Sequence, residues 1–244
     1  MLFEFMNGGA SYDAATVIAN TSARLPWVLL ISGLAFLGGF VQMIGGLYMG
    51  FKHKTHGVPL FCAAWFMAHD ATYFMNYHHW FYENDFWVAK ATWFTMGFYV
   101  ITELVVMFQI IKYSREEVFP GKSLAQAVLS LAAILALNFA VFWWFMSMIN
   151  DPLYLIKMAS TVLMGPVWLI PMMRARGSRK GFNAVSVGGV LLLSAAFWPW
   201  LFLVEPYFLQ PMIVVLAIGN VAMGVACYRY WRSLPEYQQI AISR

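Results

Sequence analysis

The chain has 244 residues and a formal net charge of +4 at pH 7; hydrophobic residues make up 61% of it and charged residues 11%. A soluble domain carries about 25% charged residues, so a water-soluble globular class is excluded and an integral membrane protein is indicated. Little sequence lies outside the apolar stretches, which leaves no separate soluble domain and makes residues 1–244 a single transmembrane domain.

Seven stretches reach the roughly 20 mostly apolar residues that a membrane span needs. In chain order they are 25–50, 58–78, 86–111, 123–148, 152–173, 183–204 and 210–231. Each is expected to be helical, because lipid forces every backbone polar group to find its partner within the segment. The predicted fold class is all-α, a bundle of seven transmembrane helices.

The basic residues alternate from side to side. Lys52 and Lys54 follow the first span, and Lys112, Arg115 and Lys122 lie between the third and fourth. Arg174, Arg176, Arg179 and Lys180 lie between the fifth and sixth, and Arg229, Arg232 and Arg244 close the chain. On the opposite side Arg24 precedes the first span, while Lys90 and Lys157 sit just inside the third and fifth. Lys and Arg mark the cytoplasmic side, so the N-terminus is expected outside and the C-terminus in the cytoplasm. The basic loops read as topology signals, not as a nucleic-acid surface. The expected location is a multi-pass position in the endoplasmic reticulum of a eukaryote or the inner membrane of a bacterium.

Cys62 and Cys227 both fall inside spans and are expected as buried thiols. Residues 1–24 lack a basic segment followed by an apolar core, so no cleaved signal peptide is expected.

Ionisable residues inside a span cost about 3 kcal/mol or more at the helix centre, and function is the default reading for them. The candidates are His69 and Asp70 in the second span and Glu103 in the third. Asn138, Lys157 and Asn220 are the further polar residues in the fourth, fifth and seventh. At 1.5 Å of rise per residue, Asp70, Glu103 and Asn220 lie roughly 18, 12 and 16 Å from the basic-loop side. These depths allow one shared cavity. Lys90 and Lys157 lie near the opposite ends and read as anchors that snorkel to the interface. His69 and Asp70 point about 100° apart on a helix, so position alone does not make them a dyad. Tyr73 is three residues from Asp70 and four from His69 and stands near either. Asn76 and Tyr77 continue the same polar-aromatic face. Trp65 is one of several span tryptophans whose ring faces suit a cation.

An apolar site favours the neutral form of a carboxyl group, and a neutral carboxylic acid there is a proton donor. Five histidines raise a metal reading. The dense histidine clusters of membrane di-iron enzymes are missing, and His53 and His56 lie across the membrane from His78 and His79, so no metal is expected. The seventh span holds no lysine for a retinal Schiff base.

Two stretches carry a resemblance. "MGFKHKTHGVPLFCAAWFMAHDATYF" (49–74) and "RARGSRKGFNA" (174–184) resemble the small seven-helix membrane terpene cyclases of fungal meroterpenoid and indole-diterpene pathways. A Lys-rich turn leading into the second span, an acidic residue at the place of Asp70, and an Arg-Gly-Ser loop before the sixth span are similar to that family's. The resemblance implies protonation of an epoxide or alkene of a prenylated substrate, then cyclisation of the cation, with one acid in the second span and another in the last. Asp70 stands where the first acid is usually Glu. "LAIGNVAMGVACYRYWR" (216–232) resembles the last span, but Asn220 stands where Asp is expected. Asn cannot exchange a proton, although it can orient a substrate oxygen.

The expectation is an integral-membrane isomerase or cyclase acting on a lipophilic, isoprenoid substrate. Asp70 is its general acid, and Glu103 or His69 receives or relays the proton. Asn220 and Tyr73 hold the substrate oxygen, with Trp65, Asn76 and Tyr77 as further substrate contacts. No cofactor is implied; the expected partners are the lipid bilayer and a lipophilic small molecule. The alternative is a small-solute transporter or lipid-binding membrane protein. Pro166, Pro171 and Pro199 would break helices for such a role, but no internal repeat pairs them.

Overall fold

The computed structural model describes residues 12–84 and 86–238; Arg244, counted above among the basic residues, lies outside them. Among the described residues the chain is all-helical. Eight main helices follow in order: α1 (Ala14–Ala23), α2 (Leu25–His53), α3 (Leu60–Met75), α4 (Trp87–Tyr113), α5 (Leu124–Met148), α6 (Leu155–Arg176), α7 (Ala184–Val204) and α8 (Pro211–Ser233). A π-helix (His79–Glu83), a single turn (Arg115–Val118) and a 3-10 turn (Pro206–Leu209) fill the connections. Six helices are long and apolar enough to cross a membrane: α2, α4, α5, α6, α7 and α8.

The ends follow local chemistry. Asp13 caps α1 by accepting from Ala15 and Thr16 N–H at 3.1 Å, the usual service of an Asp side chain to the unpaired first turn. Ser123 with Gln126 and Asn183 with Ser186 form reciprocal capping boxes at α5 and α7. Gly177, at φ 58°, turns the chain out of α6 into the left-handed region.

The second apolar stretch differs most from its predicted limits of 58–78. Pro59 has no N–H and caps the start of α3. At the other end the Trp80 indole donates to the carbonyl of Tyr73 at 2.8 Å, and the Asn76 N–H shares that carbonyl at 3.2 Å. A side chain inserted into the ladder breaks the regular helix there, and the chain continues as a π-helix. Sixteen residues of α3 span about 24 Å.

Large apolar side chains cover the outside: Ile101, Leu129, Leu137 and Ile218 are each more than 60% exposed. On a soluble protein so much apolar surface would be an aggregation hazard; here it is the lipid face. Inside, α2 packs most extensively on α7. A β-carbon on Gly38 would sit 2.4 Å from the backbone nitrogen of Leu193, and one on Gly189 would sit 2.6 Å from that of Gln42. Only glycine permits this approach, the small-residue packing common between membrane helices.

Hydrogen bonds gather the connections at two ends. At one, Arg176 reaches the carbonyls of His56 and Lys180 at 2.9 and 3.0 Å and Glu117 at 2.8 Å, and Arg179 donates to the carbonyl of Arg232 at 2.8 Å. The four basic segments named above therefore meet on one face. At the other end Asn20 and Arg24 bond the carbonyls of Val204 and Leu203, and His79 approaches the carbonyl of Pro152.

Candidate functional site

A cavity of about 90 Å³ lies at mid-height between α2, α3, α4, α6 and α7. It is large enough for several waters, since one needs roughly 10–15 Å³. Most of its wall is apolar, with Phe36, Phe66 and Phe197 beside Met43, Met96 and Met158. His69, Asp70, Tyr99 and Glu103 project from α3 and α4, and Gln42 comes from α2.

The spacing of these residues follows helical geometry. Tyr99 and Glu103 are four apart on α4 and share one face. The Tyr99 hydroxyl stands against α2 at Gly39, where a β-carbon would collide with it at 2.4 Å. Glu103 is fully buried. No N–H or hydroxyl group among the described residues reaches either of its oxygens; its electrostatic neighbour is the carboxyl of Asp70. His69 Nδ1 lies 2.5 Å from Asp70 Oδ1. This departs from the sequence expectation that two adjacent residues diverge: the short carboxyl and the near ring nitrogen bridge the angular gap. The other nitrogen, Nε2, is buried without a hydrogen-bond partner among the described residues. The imidazole is wedged between Phe142, at 5.7 Å and 83°, and Tyr154, at 5.8 Å. Two carboxyl groups thus share a cavity whose lining includes no Lys or Arg.

The other expected contacts lie elsewhere. Tyr73 is buried but donates its hydroxyl to the carbonyl of Ala89 at 3.1 Å, and its ring stacks on Trp80 at 4.2 Å. It faces the α3–α4 connection, not the cavity. The Trp65 indole donates to Ser160 Oγ at 3.1 Å, which ties α3 to α6. Asn76 and Tyr77 are exposed beyond the end of α3.

Asn220 is also outside the cavity wall. Its carbonyl accepts from the Trp198 indole at 3.0 Å and its amide donates to the carbonyl of Val162 at 3.1 Å. Both ends are engaged in joining α6, α7 and α8. Similar depth in the membrane did not imply a common face.

Lys157 departs from its reading as a snorkelling anchor. It is 4% exposed, its ammonium lies 4.3 Å over the Tyr154 ring, and its backbone N–H donates to Asp151 at 2.8 Å. Asp151 also accepts from the Tyr12 hydroxyl at 2.5 Å. This cluster lies at the end of the bundle away from the basic loops, in the wall of a pocket of about 510 Å³.

Sequence reasoning passed over Tyr99 and Gln42. The signal for Tyr99 was its four-residue spacing from Glu103; for Gln42 it was a lone amide within the first apolar stretch. No family model, curated protein or solved structure matches the chain.

Proposed function

We propose that the protein is an integral-membrane acid–base enzyme that protonates a lipophilic, isoprenoid alkene or epoxide and cyclises or isomerises the resulting cation. The observation that carries the reading is the placement of Asp70 and Glu103 on adjacent helices in one buried, mostly apolar cavity. Two carboxyl groups so placed can divide the work, one giving a proton and the other taking one back.

In this scheme Asp70 is the acid and His69 orients its carboxyl through the Nδ1 contact. The substrate carbon or epoxide oxygen takes the proton, the cation rearranges, Glu103 takes a proton from that cation to leave the neutral product, and return of a proton from Glu103 to Asp70 restores the pair. The aromatic rings of the wall favour a passing positive charge. The second acid of the resembled cyclases lies in their last span; in this chain Glu103 of α4 would fill that role, because Asn220 is committed to packing. No cofactor enters the scheme. In the membrane, α3 would form a seventh crossing, extended by the turns after Met75, with the basic loops cytoplasmic and the N-terminus outside. Such an enzyme would work in the endoplasmic reticulum or a bacterial inner membrane.

Mass spectrometry of lipophilic molecules retained by the purified protein tests this reading. A ring-closed or isomerised product with the wild type and its open precursor with Asp70→Asn is the expected pair. The same molecule in both would refute it.

A further inference from the structure

We infer that protons reach the Asp70–Glu103 pair from the basic-loop side of the bundle, through water held by the Gln42 amide. A second cavity, of about 10 Å³, lies between the central one and the 57–59 connection, enough for one water. The two share three wall residues, Gln42, Gly165 and Val190, so they meet at a neck between α2, α6 and α7. Gln42 is 9% exposed, and its side chain makes no hydrogen bond to the described residues although it can donate twice and accept twice. Its amide nitrogen stands 3.9 Å from where a β-carbon on Gly165 would be, which puts the amide in the neck. An unbonded amide buried between two cavities is costly unless water or a ligand serves it.

On the opposite side a pocket of about 510 Å³, lined by Asp151, Tyr154 and Lys157, is separated from the carboxyl pair by aromatic rings. His69 is backed by Phe142 and Tyr154, and Tyr154 packs edge-on against Tyr73 and Trp80 at 5.2 and 5.5 Å. The Tyr154 and Tyr73 hydroxyls donate to Met146 Sδ at 3.2 Å and to the Ala89 carbonyl at 3.1 Å, acceptors that pass no proton on. The basic-loop side is therefore the route we assign.

The inference adds a proton route to the proposed acid–base role, and its test needs no substrate, so exchange and turnover fail separately. In D2O a protonated carboxyl exchanges as COOH + D2O → COOD + HOD, which shifts its infrared C=O band. The band is assigned by its loss in Asp70→Asn or Glu103→Gln. In membranes carrying the full chain, Gln42→Met keeps the volume and removes the amide that holds the water; exchange should slow on the order of tenfold or more. Gly165→Ala has room to fold and narrows the neck, so it should slow exchange by less. Tyr154→Phe, on the opposite side, should leave the rate unchanged. Wild-type exchange in both Gln42→Met and Gly165→Ala, or faster exchange in Tyr154→Phe, would overturn the route. So would the lack of any carboxyl band that the two acid variants remove.

Discussion

Asn220 donates its side-chain amide to the main-chain carbonyl of Val162 at 3.1 Å. That carbonyl lies four residues before Pro166, which sits inside α6 and has no N–H to give it. The proline creates an unpaired acceptor in the membrane, and a neighbouring helix supplies the donor. A carboxylate at 220 could not do this, which accounts for an amide at that position.

Asn220→Ala and Asn220→Asp should therefore each lower stability by about 1–3 kcal/mol, the cost of a buried polar group left unpaired. Pro166→Ala restores the helical N–H to Val162 and should make Asn220→Ala cheaper in the double variant. Thermal or denaturant unfolding in detergent, arranged as a double-mutant cycle, measures the coupling. Strict additivity would show that the two residues do not serve one carbonyl.

The α2–α7 contact gives a sharper steric contrast. Gly38→Ala drives a β-carbon to 2.4 Å from the Leu193 backbone nitrogen, whereas Gly33→Ala meets nothing within 4 Å. The first should destabilise by about 1–3 kcal/mol through overpacking. The second should be neutral or mildly stabilising, since Ala suits a helix better than Gly by about 0.5–1 kcal/mol. Equal unfolding temperatures for the two variants would contradict the close approach.

Composition and the length of apolar runs located the helices well, because lipid leaves a span little choice of backbone. The limits predicted for the fourth stretch, 123–148, differ by one residue from α5 at Leu124–Met148. What the sequence hid was rotation. Depth along the axis can be counted, and it put Asp70, Glu103 and Asn220 in one group, of which the cavity wall holds Asp70 and Glu103. Which way each side chain faces depends on which helices touch, and that is settled by distant pairs such as Gly38 with Leu193. Thus Glu103 meets Asp70, while Asn220, at similar height, turns to Trp198 and Val162. The end of α3 was hidden for a related reason: it depends on one indole reaching back to Tyr73.

Stability should also depend on pH through a loop outside the spans. Burial, with the Arg176 and Lys180 charges behind it, holds the His56 imidazole well below its ordinary range. Its Nδ1 lies 3.1 Å from the Arg176 guanidinium, which is a donor, so His56 accepts as the neutral ring. The unfolded chain binds a proton at His56 below about pH 6.5 while the folded one does not. The stabilising effect of the neutral ring is thus whole above that pH and is lost as pH falls below it. Unfolding midpoints measured from pH 7.5 down to pH 5, approximate limits bracketing the histidine range, should drop. His56→Asn should flatten that slope; an unchanged slope would assign the dependence to another group.

Asp70 and Glu103 bear the central claim, and turnover tests it most directly. The measurement is product formed from an alkene- or epoxide-bearing isoprenoid by membranes holding equal amounts of wild type, Asp70→Asn and Glu103→Gln. Both variants nearly keep size and should insert normally, yet each should lose about 10²–10⁴-fold in rate, the usual worth of a positioned proton-transfer group. Asp70→Glu should recover part of the loss. Full turnover by Asp70→Asn would show that the carboxyl pair is a packing feature and not the source of the chemistry.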